Sequence, residues 1–95
     1  MAVTSQETPD GEKYIRVLRE AFVSMDAAQN ILVIKTGVGM ANAAAVALDH
    51  MNWREVVGSI AGDDTIFIVM REGVSRSELI EALTSVHPAI HTLYK

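Results

Sequence analysis

The second half of the chain contains two short hydrophobic runs with the character of β-strands. They are VVGSIAG at residues 56–62 and TIFIVMR at residues 65–71, and both are rich in β-branched side chains. Because only Gly62, Asp63 and Asp64 separate the runs, they predict a hairpin or near-hairpin with a tight turn. The second run lacks polar alternation, which indicates that part of the other sheet face is buried between subunits.

Helical spacing of apolar residues occurs on either side of these strands. In MANAAAVALDHM, residues 40–51, apolar side chains recur on one helix face, and alanine is the best helix former. Further on, Ser75 and Glu78 have the spacing of a capping box that opens a second helix. Pro88 predicts that this second helix ends near His87.

The N-terminal part of the chain gives a weaker pattern. Residues 1–12 have almost no apolar periodicity and are expected to be a flexible leader or linker, which assigns the folded domain to residues 13–95. Residues 13–27 fit both a helical stripe and a strand alternation. The interpretation favoured here is a strand from about Val17 to Asp26. With the β-branched run ILVIKT after it, this strand predicts an antiparallel hairpin.

The predicted elements follow one another in the order β-β-α-β-β-α. That order is typical of an α+β fold, in which a four-stranded, mainly antiparallel sheet carries two helices on one face. The 95 residues fit a single small domain. Apolar residues make up 49% of the chain but aromatic residues only 5%, so the core must be aliphatic and rich in alanine.

Composition restricts the classes of function. The chain has no cysteine, which excludes disulfides and thiolate metal sites and is compatible with a reducing compartment. No apolar run approaches the ~20 residues of a membrane span, and the first residues are polar, so a cytoplasmic protein without membrane contact is expected. The net charge is -4 and the basic residues are scattered, which disfavours nucleic-acid binding by this chain alone and suits a cationic small ligand.

The adjacent acids Asp63 and Asp64 lie in the most apolar part of the chain and admit three interpretations. Gly-Asp-Asp is ordinary turn chemistry, because aspartate favours turns by bonding its own backbone. A metal site would need several oxygen ligands, and no other acid is near in sequence. In the third interpretation the two carboxylates repel each other until a guanidinium or ammonium group relieves the repulsion.

Other polar residues are weaker candidates. Asn42 and Asp49 lie two helical turns apart, about 10 Å along the axis, and form either a solvated helix side or a polar ledge for both ends of an amino acid. His87 and His91 have a metal-ligand spacing but no third ligand in sight. The serines lack the context of a nucleophile. An enzyme using His50 with Asp49 is disfavoured, because adjacent helical residues point about 100° apart.

Three segments together, ILVIKTGVGMANAAAVALD, NWREVV and GSIAGDDTIFIV, resemble the C-terminal domain of the bacterial arginine repressor family. The similarity runs from about Phe22 to Arg71 and is clearest in the block G-[ST]-I-x-G-D-D-T-I. It implies a non-enzymatic domain with no metal and no cofactor beyond L-arginine, the corepressor. It further implies trimers that pair into hexamers, with arginine bound at the trimer–trimer interface. DNA would be held by a separate N-terminal winged helix-turn-helix domain, which nothing in this sequence resembles, so the chain looks like the sensing half.

The resemblance also implies which residues bind arginine. The acid pair of the family falls on Asp63 and Asp64, and its helix aspartate falls on Asp49. A serine or threonine side chain falls on Ser59, and a backbone contact falls on Ala61.

Two positions depart from the family pattern. Asn42 is also among the implied arginine-binding residues, but it stands where the family usually has glutamine, which is one methylene longer. Val38 and Gly39 stand where the family has Pro-Gly before the helix. These differences keep a second hypothesis open, an oligomerisation module that has lost its response to arginine.

Overall fold

An apolar stripe on the first helix decides how the N-terminal part of the chain folds. The computed structural model describes the backbone of residues 3–93 and the side chains of residues 11–90, 92 and 93. Helix α1 spans Val3–Ala21 and buries Leu18 and Ala21 completely. The same face carries the partly buried Tyr14 and Val17 and packs against the helix that follows the first hairpin.

The strand expected to begin near Val17 begins later. Strand β1 is Phe22–Ala28, so the expectation is wrong for residues 17–21. Both periods fit this stretch of sequence, and packing of the helical face against its neighbour selects the helix over the strand. Of residues 1–12, expected to be a flexible leader or linker, residues 3–12 form the first part of α1, and residues 1 and 2 lie outside the described residues. Their role as a connection to another domain stays a prediction.

The remaining elements follow the predicted order. They are β2 (Ile31–Thr36), α2 (Ala41–Met51), β3 (Val56–Ala61), β4 (Thr65–Met70), α3 (Arg76–Val86) and α4 (Ile90–Leu93). The strands form one antiparallel sheet in the spatial order β1-β2-β4-β3, which confirms the α+β prediction and both hairpins. Helix α1 and the short α4 add to the two helices that the pattern predicts.

One face of the sheet, here called the inner face, forms the core. Cross-strand neighbours on it are Met25, Ile34 and Ile66 in one row and Leu32 with Ile68 in the next, and all five are buried. Helix α2 packs against β3 and β4, and α4 packs against β1. Four alanines of α2 are buried in this contact or beside it, so the small side chains let helix and sheet approach closely.

The opposite face of the sheet, here called the outer face, is apolar but open. Val33, Phe67 and Ile60 are cross-strand neighbours on β2, β4 and β3. Ile60 is 75% exposed and Phe67 is 48% exposed. Val33 between them and β1 is half-buried. An apolar row across three strands with two exposed members is typical of a surface that another chain covers.

The capping box predicted for the last long helix is present. The Ser75 hydroxyl accepts a hydrogen bond from the Glu78 N–H, and the Glu78 carboxylate accepts one from the Ser75 N–H, both at 3.2 Å. Helix α3 then ends at Val86, before Pro88, as the sequence predicts. Among the helices of the described residues, none has the length and apolar character needed to cross a membrane.

Candidate functional site

The acid pair lies in the turn between β3 and β4. Strand β3 ends at Ala61 and β4 begins at Thr65, and the Gly62 N–H donates to the Thr65 carbonyl at 2.8 Å to close the turn. The carboxylates are therefore at the end of a hairpin, where they avoid the apolar core that surrounds this segment in sequence. Asp63 is exposed and Asp64 is half-buried.

Backbone hydrogen bonds tie this turn to two other elements. The Asp63 carbonyl accepts the N–H groups of Gly39 at 3.1 Å and Ala41 at 3.2 Å, and the Asp64 carbonyl accepts the Thr36 N–H at 2.8 Å. The N–H groups at the start of a helix have no partner within the helix. The Asp63 carbonyl is the hydrogen-bond acceptor for one of these N–H groups, that of Ala41. It takes the place of a side-chain cap, which Met40 at the N-cap does not provide. The turn is thus held rigidly at the start of α2.

This attachment brings Asn42 near the acids. Asn42 follows Ala41 in the first turn of α2 and is exposed. The unpaired N–H groups at a helix start carry partial positive charge, so an Asp63 carboxylate at that end is favoured. Asn42 can there offer both a donor and an acceptor to a polar ligand.

The second acidic position lies further along the same helix. The Ser59 hydroxyl on β3 donates to Asp49 Oδ1 on α2 at 3.4 Å. Next to Asp49 is a shallow cavity of about 100 Å³ between α2 and β3, lined in part by Asn52 and Trp53. Asn52 ends α2 in the left-handed conformation with φ 53°, and Trp53 packs against the core.

The α2–β3 groove, defined by Asn42 and Asp49 on α2 and by Ser59 and Ala61 on β3, collects most of the expected ligand residues. Ser59 and Ala61 face the helix side, because their cross-strand neighbours Ile68 and Ile66 are buried on the inner face. Strand β3 is at the edge of the sheet, so the groove stays open to solvent.

The Asp64 carboxylate is directed away from this groove. Its Oδ1 accepts a hydrogen bond from the Thr65 hydroxyl at 2.9 Å. Thr65 pairs with Lys35 across the sheet, and both side chains lie on the outer face, because Ile66 and Ile34 beside them are buried on the inner face. The Lys35 Nζ donates to the same Thr65 hydroxyl at 2.9 Å. The structure therefore gives the Asp64 carboxylate a hydrogen-bond partner on the outer face of the sheet.

Lys35 and Thr65 were not identified from the sequence as part of the site. Thr65 follows the acid pair directly, so its proximity could have been read from the turn. Lys35 lies 30 residues from Thr65, and only the antiparallel pairing of β2 with β4 brings them together.

The metal and enzyme interpretations gain no support from the geometry. Within the described part of the chain, no group of three or more histidine, cysteine or acidic residues could hold a metal ion. The side chain of His91 lies outside the described residues. The His50 ring contacts the Tyr14 ring with centroids 4.2 Å apart, whereas Asp49 bonds Ser59. His50 and Asp49 thus engage different partners.

His87 is buried at the end of α3. Its ring stacks on Phe22 with centroids 5.8 Å apart, and its Nε2 has no hydrogen-bond partner. Burial lowers the pKa of His87 below its ordinary value of 6.5, and the nearby positive charge of Arg19 lowers it further. Arg19 itself donates through Nε to the Val86 carbonyl at 2.8 Å. The contacts of His87 are those of a structural residue, and its lowered pKa favours the neutral imidazole.

The fold and this hairpin end define a small α+β domain that presents acidic and amide groups at the junction of an edge strand and a helix. The chain matches the family described as arginine repressor, C-terminal domain, over residues 18–85. It therefore belongs to the arginine repressor family, in the part of the sequence that corresponds to the C-terminal domain.

Similar proteins support this assignment. The chain is 48% identical over 86 residues to an arginine repressor of Lachnoclostridium phytofermentans, which covers 90% of this chain and 57% of the relative. It is 55% identical over 69 residues to an arginine repressor of Lachnospira eligens, covering 73% of this chain and 46% of the relative. The chain spans about half the length of these curated relatives.

Proposed function

We propose that this chain is the L-arginine-sensing and oligomerisation domain of a transcriptional repressor that controls arginine metabolism genes. The observation that carries the proposal is the arrangement of three acids: Asp63 and Asp64 lie in the turn tied to the start of α2, and Asp49 lies near the end of the same helix, next to Ser59. Asp49 and Asp63 are exposed. Their backbone positions are fixed by the helix and by the tied turn, and their carboxylates remain accessible.

The ligand chemistry follows from the charges. Arginine carries a guanidinium and an ammonium group, which need separate acidic partners, and a carboxylate, which needs a donor. A guanidinium can bond a carboxylate through two parallel N–H groups. Asn42 supplies a donor at the start of α2, and Ala61 supplies backbone groups on the edge strand. Ser59 adds a hydroxyl next to Asp49.

Assembly completes the site in this proposal. Asp64 lies on the other side of the hairpin end from the α2–β3 groove, so one chain does not surround a ligand. The apolar row of Val33, Phe67 and Ile60, of which Phe67 and Ile60 are exposed, supports a subunit contact on the outer face. Trimers that pair into hexamers would bring acids from several chains together, and a bound arginine would relieve their repulsion. Linkage requires that assembly tighten arginine binding by the factor by which arginine tightens assembly.

DNA binding belongs to another part of the protein in this proposal. The relatives are about twice as long as the matched region. A winged helix-turn-helix domain outside this chain would contact the operator, and arginine would promote the DNA-binding-competent hexamer. No catalytic step is assigned to the chain.

Calorimetric titration with L-arginine, with citrulline as the matched control, tests the proposal. Citrulline has the same shape but lacks the guanidinium charge. Heat with arginine and little heat with citrulline is the expected result. Asp64→Ala and Asp63→Asn should each abolish the arginine response while the circular dichroism spectrum stays unchanged. Equal heat with both ligands, or wild-type affinity in Asp64→Ala, would contradict the assignment.

The second candidate is an oligomerisation module that does not respond to arginine. The observation that favours it is Asn42, which stands at an exposed position of the first helical turn with a side chain shorter than the family's glutamine. A hexamer that forms without arginine and gives no heat with it would support this candidate. In that case, Asn42→Gln should create the heat signal.

A further inference from the structure

Lys35, Thr65 and Asp64 form a continuous hydrogen-bonded chain on the outer face. The Lys35 Nζ lies 2.9 Å from the Thr65 Oγ1, and the same oxygen lies 2.9 Å from Asp64 Oδ1. Lys35 and Thr65 are direct cross-strand neighbours on β2 and β4. The Asp64 backbone is fixed as well, because its carbonyl accepts the Thr36 N–H at 2.8 Å.

The direction of each hydrogen bond is determined by chemistry. An ammonium group has only donors, and a hydroxyl has one donor and two acceptor sites. Thr65 must therefore accept from Lys35, and its single proton is left for the Asp64 carboxylate. Lys35 thus orients the Thr65 hydroxyl, and Thr65 holds one oxygen of Asp64.

We propose that Lys35 and Thr65 are positioning residues that hold the Asp64 carboxylate in one rotamer before the ligand binds. The inference rests on the proposed arginine site, since the purpose of the held carboxylate is to receive a cationic group on its second oxygen, Oδ2. Neither Lys35 nor Thr65 needs to touch the ligand for this role.

The two adjacent acids then have different tasks. Asp63 makes no side-chain hydrogen bond within the described part of the chain, so its carboxylate can follow a ligand as it enters. Asp64 is held in advance, which removes the cost of ordering a side chain during binding. That cost corresponds to about threefold to tenfold in affinity for one side chain.

The positive charge of Lys35 lowers the affinity for a cationic ligand, whereas its positioning role raises that affinity. A lysine ammonium near Asp64 repels a cationic ligand, so removing it could raise affinity at low salt. At 1 M salt the Debye length is about 3 Å, and this repulsion is largely screened. Measurements at 1 M sodium chloride therefore isolate the positioning effect.

Four variants of the full chain test the proposal by calorimetry with L-arginine at 1 M sodium chloride. Thr65→Val keeps the β-branched shape but has no hydroxyl, and should weaken arginine binding about tenfold. Thr65→Ser restores the hydroxyl and should bind within about twofold of the wild type. Lys35→Met should weaken binding about threefold, because Thr65 is no longer oriented. Lys35→Met added to Thr65→Val should cause no further loss, because Lys35 acts only through Thr65.

A second measurement reads the side chain directly and needs no ligand. Three-bond couplings in aspartate-labelled protein report the χ1 populations of Asp64. One dominant rotamer is expected in the wild type and in Thr65→Ser, and averaging over rotamers is expected in Thr65→Val.

The two measurements separate this inference from the proposed function. An unchanged Asp64 rotamer in Thr65→Val, or wild-type arginine affinity in that variant, overturns the positioning role. If the losses of arginine affinity from Lys35→Met and Thr65→Val add in the double variant, the inference that Lys35 acts only through Thr65 is overturned. Absence of arginine binding by the wild type overturns the proposed function, and the Asp64 rotamer still decides whether Thr65 holds the carboxylate.

Discussion

The Ser59 hydroxyl and the Asp49 carboxylate are joined by a hydrogen bond of 3.4 Å between strand β3 and helix α2. Ordinary hydroxyl-to-oxygen hydrogen bonds are about 2.7–2.8 Å long, so this bond is weak. Asp49 is exposed and its position comes from the helix rather than from Ser59. The carboxylate is therefore available to a stronger cationic partner.

Asp49 should consequently matter far more than Ser59 for arginine binding. We expect Asp49→Asn to weaken binding at least about tenfold, because hydrogen bonds to charged groups contribute roughly 1.5–3 kcal/mol. Ser59→Ala should change affinity by less than about threefold. Calorimetric titration measures both variants, and a larger loss in Ser59→Ala than in Asp49→Asn would contradict the ranking.

The outer face should control assembly. A carboxylate at position 67 would lie in the middle of the apolar row, so Phe67→Glu should shift the protein to smaller species at equal concentration. Light scattering after size-exclusion chromatography measures the mass. Val23→Glu is the matched control, since Val23 is 57% exposed on β1, an edge strand that β2 separates from β4. An unchanged mass for Phe67→Glu would exclude this face as the subunit contact.

His87 should make stability depend on pH. Burial lowers its pKa in the folded state below the ordinary 6.5, so the unfolded state binds more protons in mildly acidic solution. Stability is therefore complete above pH 6.5 and falls as the pH drops through that value toward the folded-state pKa. Urea midpoints between pH 7.5 and pH 5, taken at one protein concentration, measure the loss. His87→Phe should flatten this dependence, and an equal slope in that variant would refute the role of His87.

The capping box should contribute to the stability of α3. Ser75→Ala removes the hydroxyl that accepts the Glu78 N–H and should lower the free energy of unfolding by about 1 kcal/mol. Ser85→Ala is the control, because the Ser85 hydroxyl only donates to the Ala82 carbonyl within the same helix, and its loss should stay within about 0.5 kcal/mol. Urea unfolding compares the two. Equal losses of unfolding free energy in the two variants would show that the capping hydrogen bond makes no contribution of its own to the stability of α3.

Local patterns of the sequence determined most of the elements. The β-branched runs, the alanine-rich stripe of α2 and the Ser75–Glu78 spacing predicted strands, helices and a cap that the structure contains. Turn chemistry at Gly62, Asp63 and Asp64 predicted the hairpin. Such features depend on residues within a few positions of one another, so periodicity and turn preference are enough to predict them.

Tertiary structure decided everything that joins distant residues. Packing against α2 extended α1 to Ala21, where the sequence fitted both periods and the strand was the favoured interpretation. Strand pairing brought Lys35 to Thr65, the residue whose hydroxyl bonds the Asp64 carboxylate, although Lys35 and Thr65 are 30 residues apart in sequence. Burial at the α3 end lowered the pKa of His87 below its ordinary value. The physical reason is that strand register and close packing set the environment of a side chain, and neither is encoded in the spacing of its neighbours along the chain.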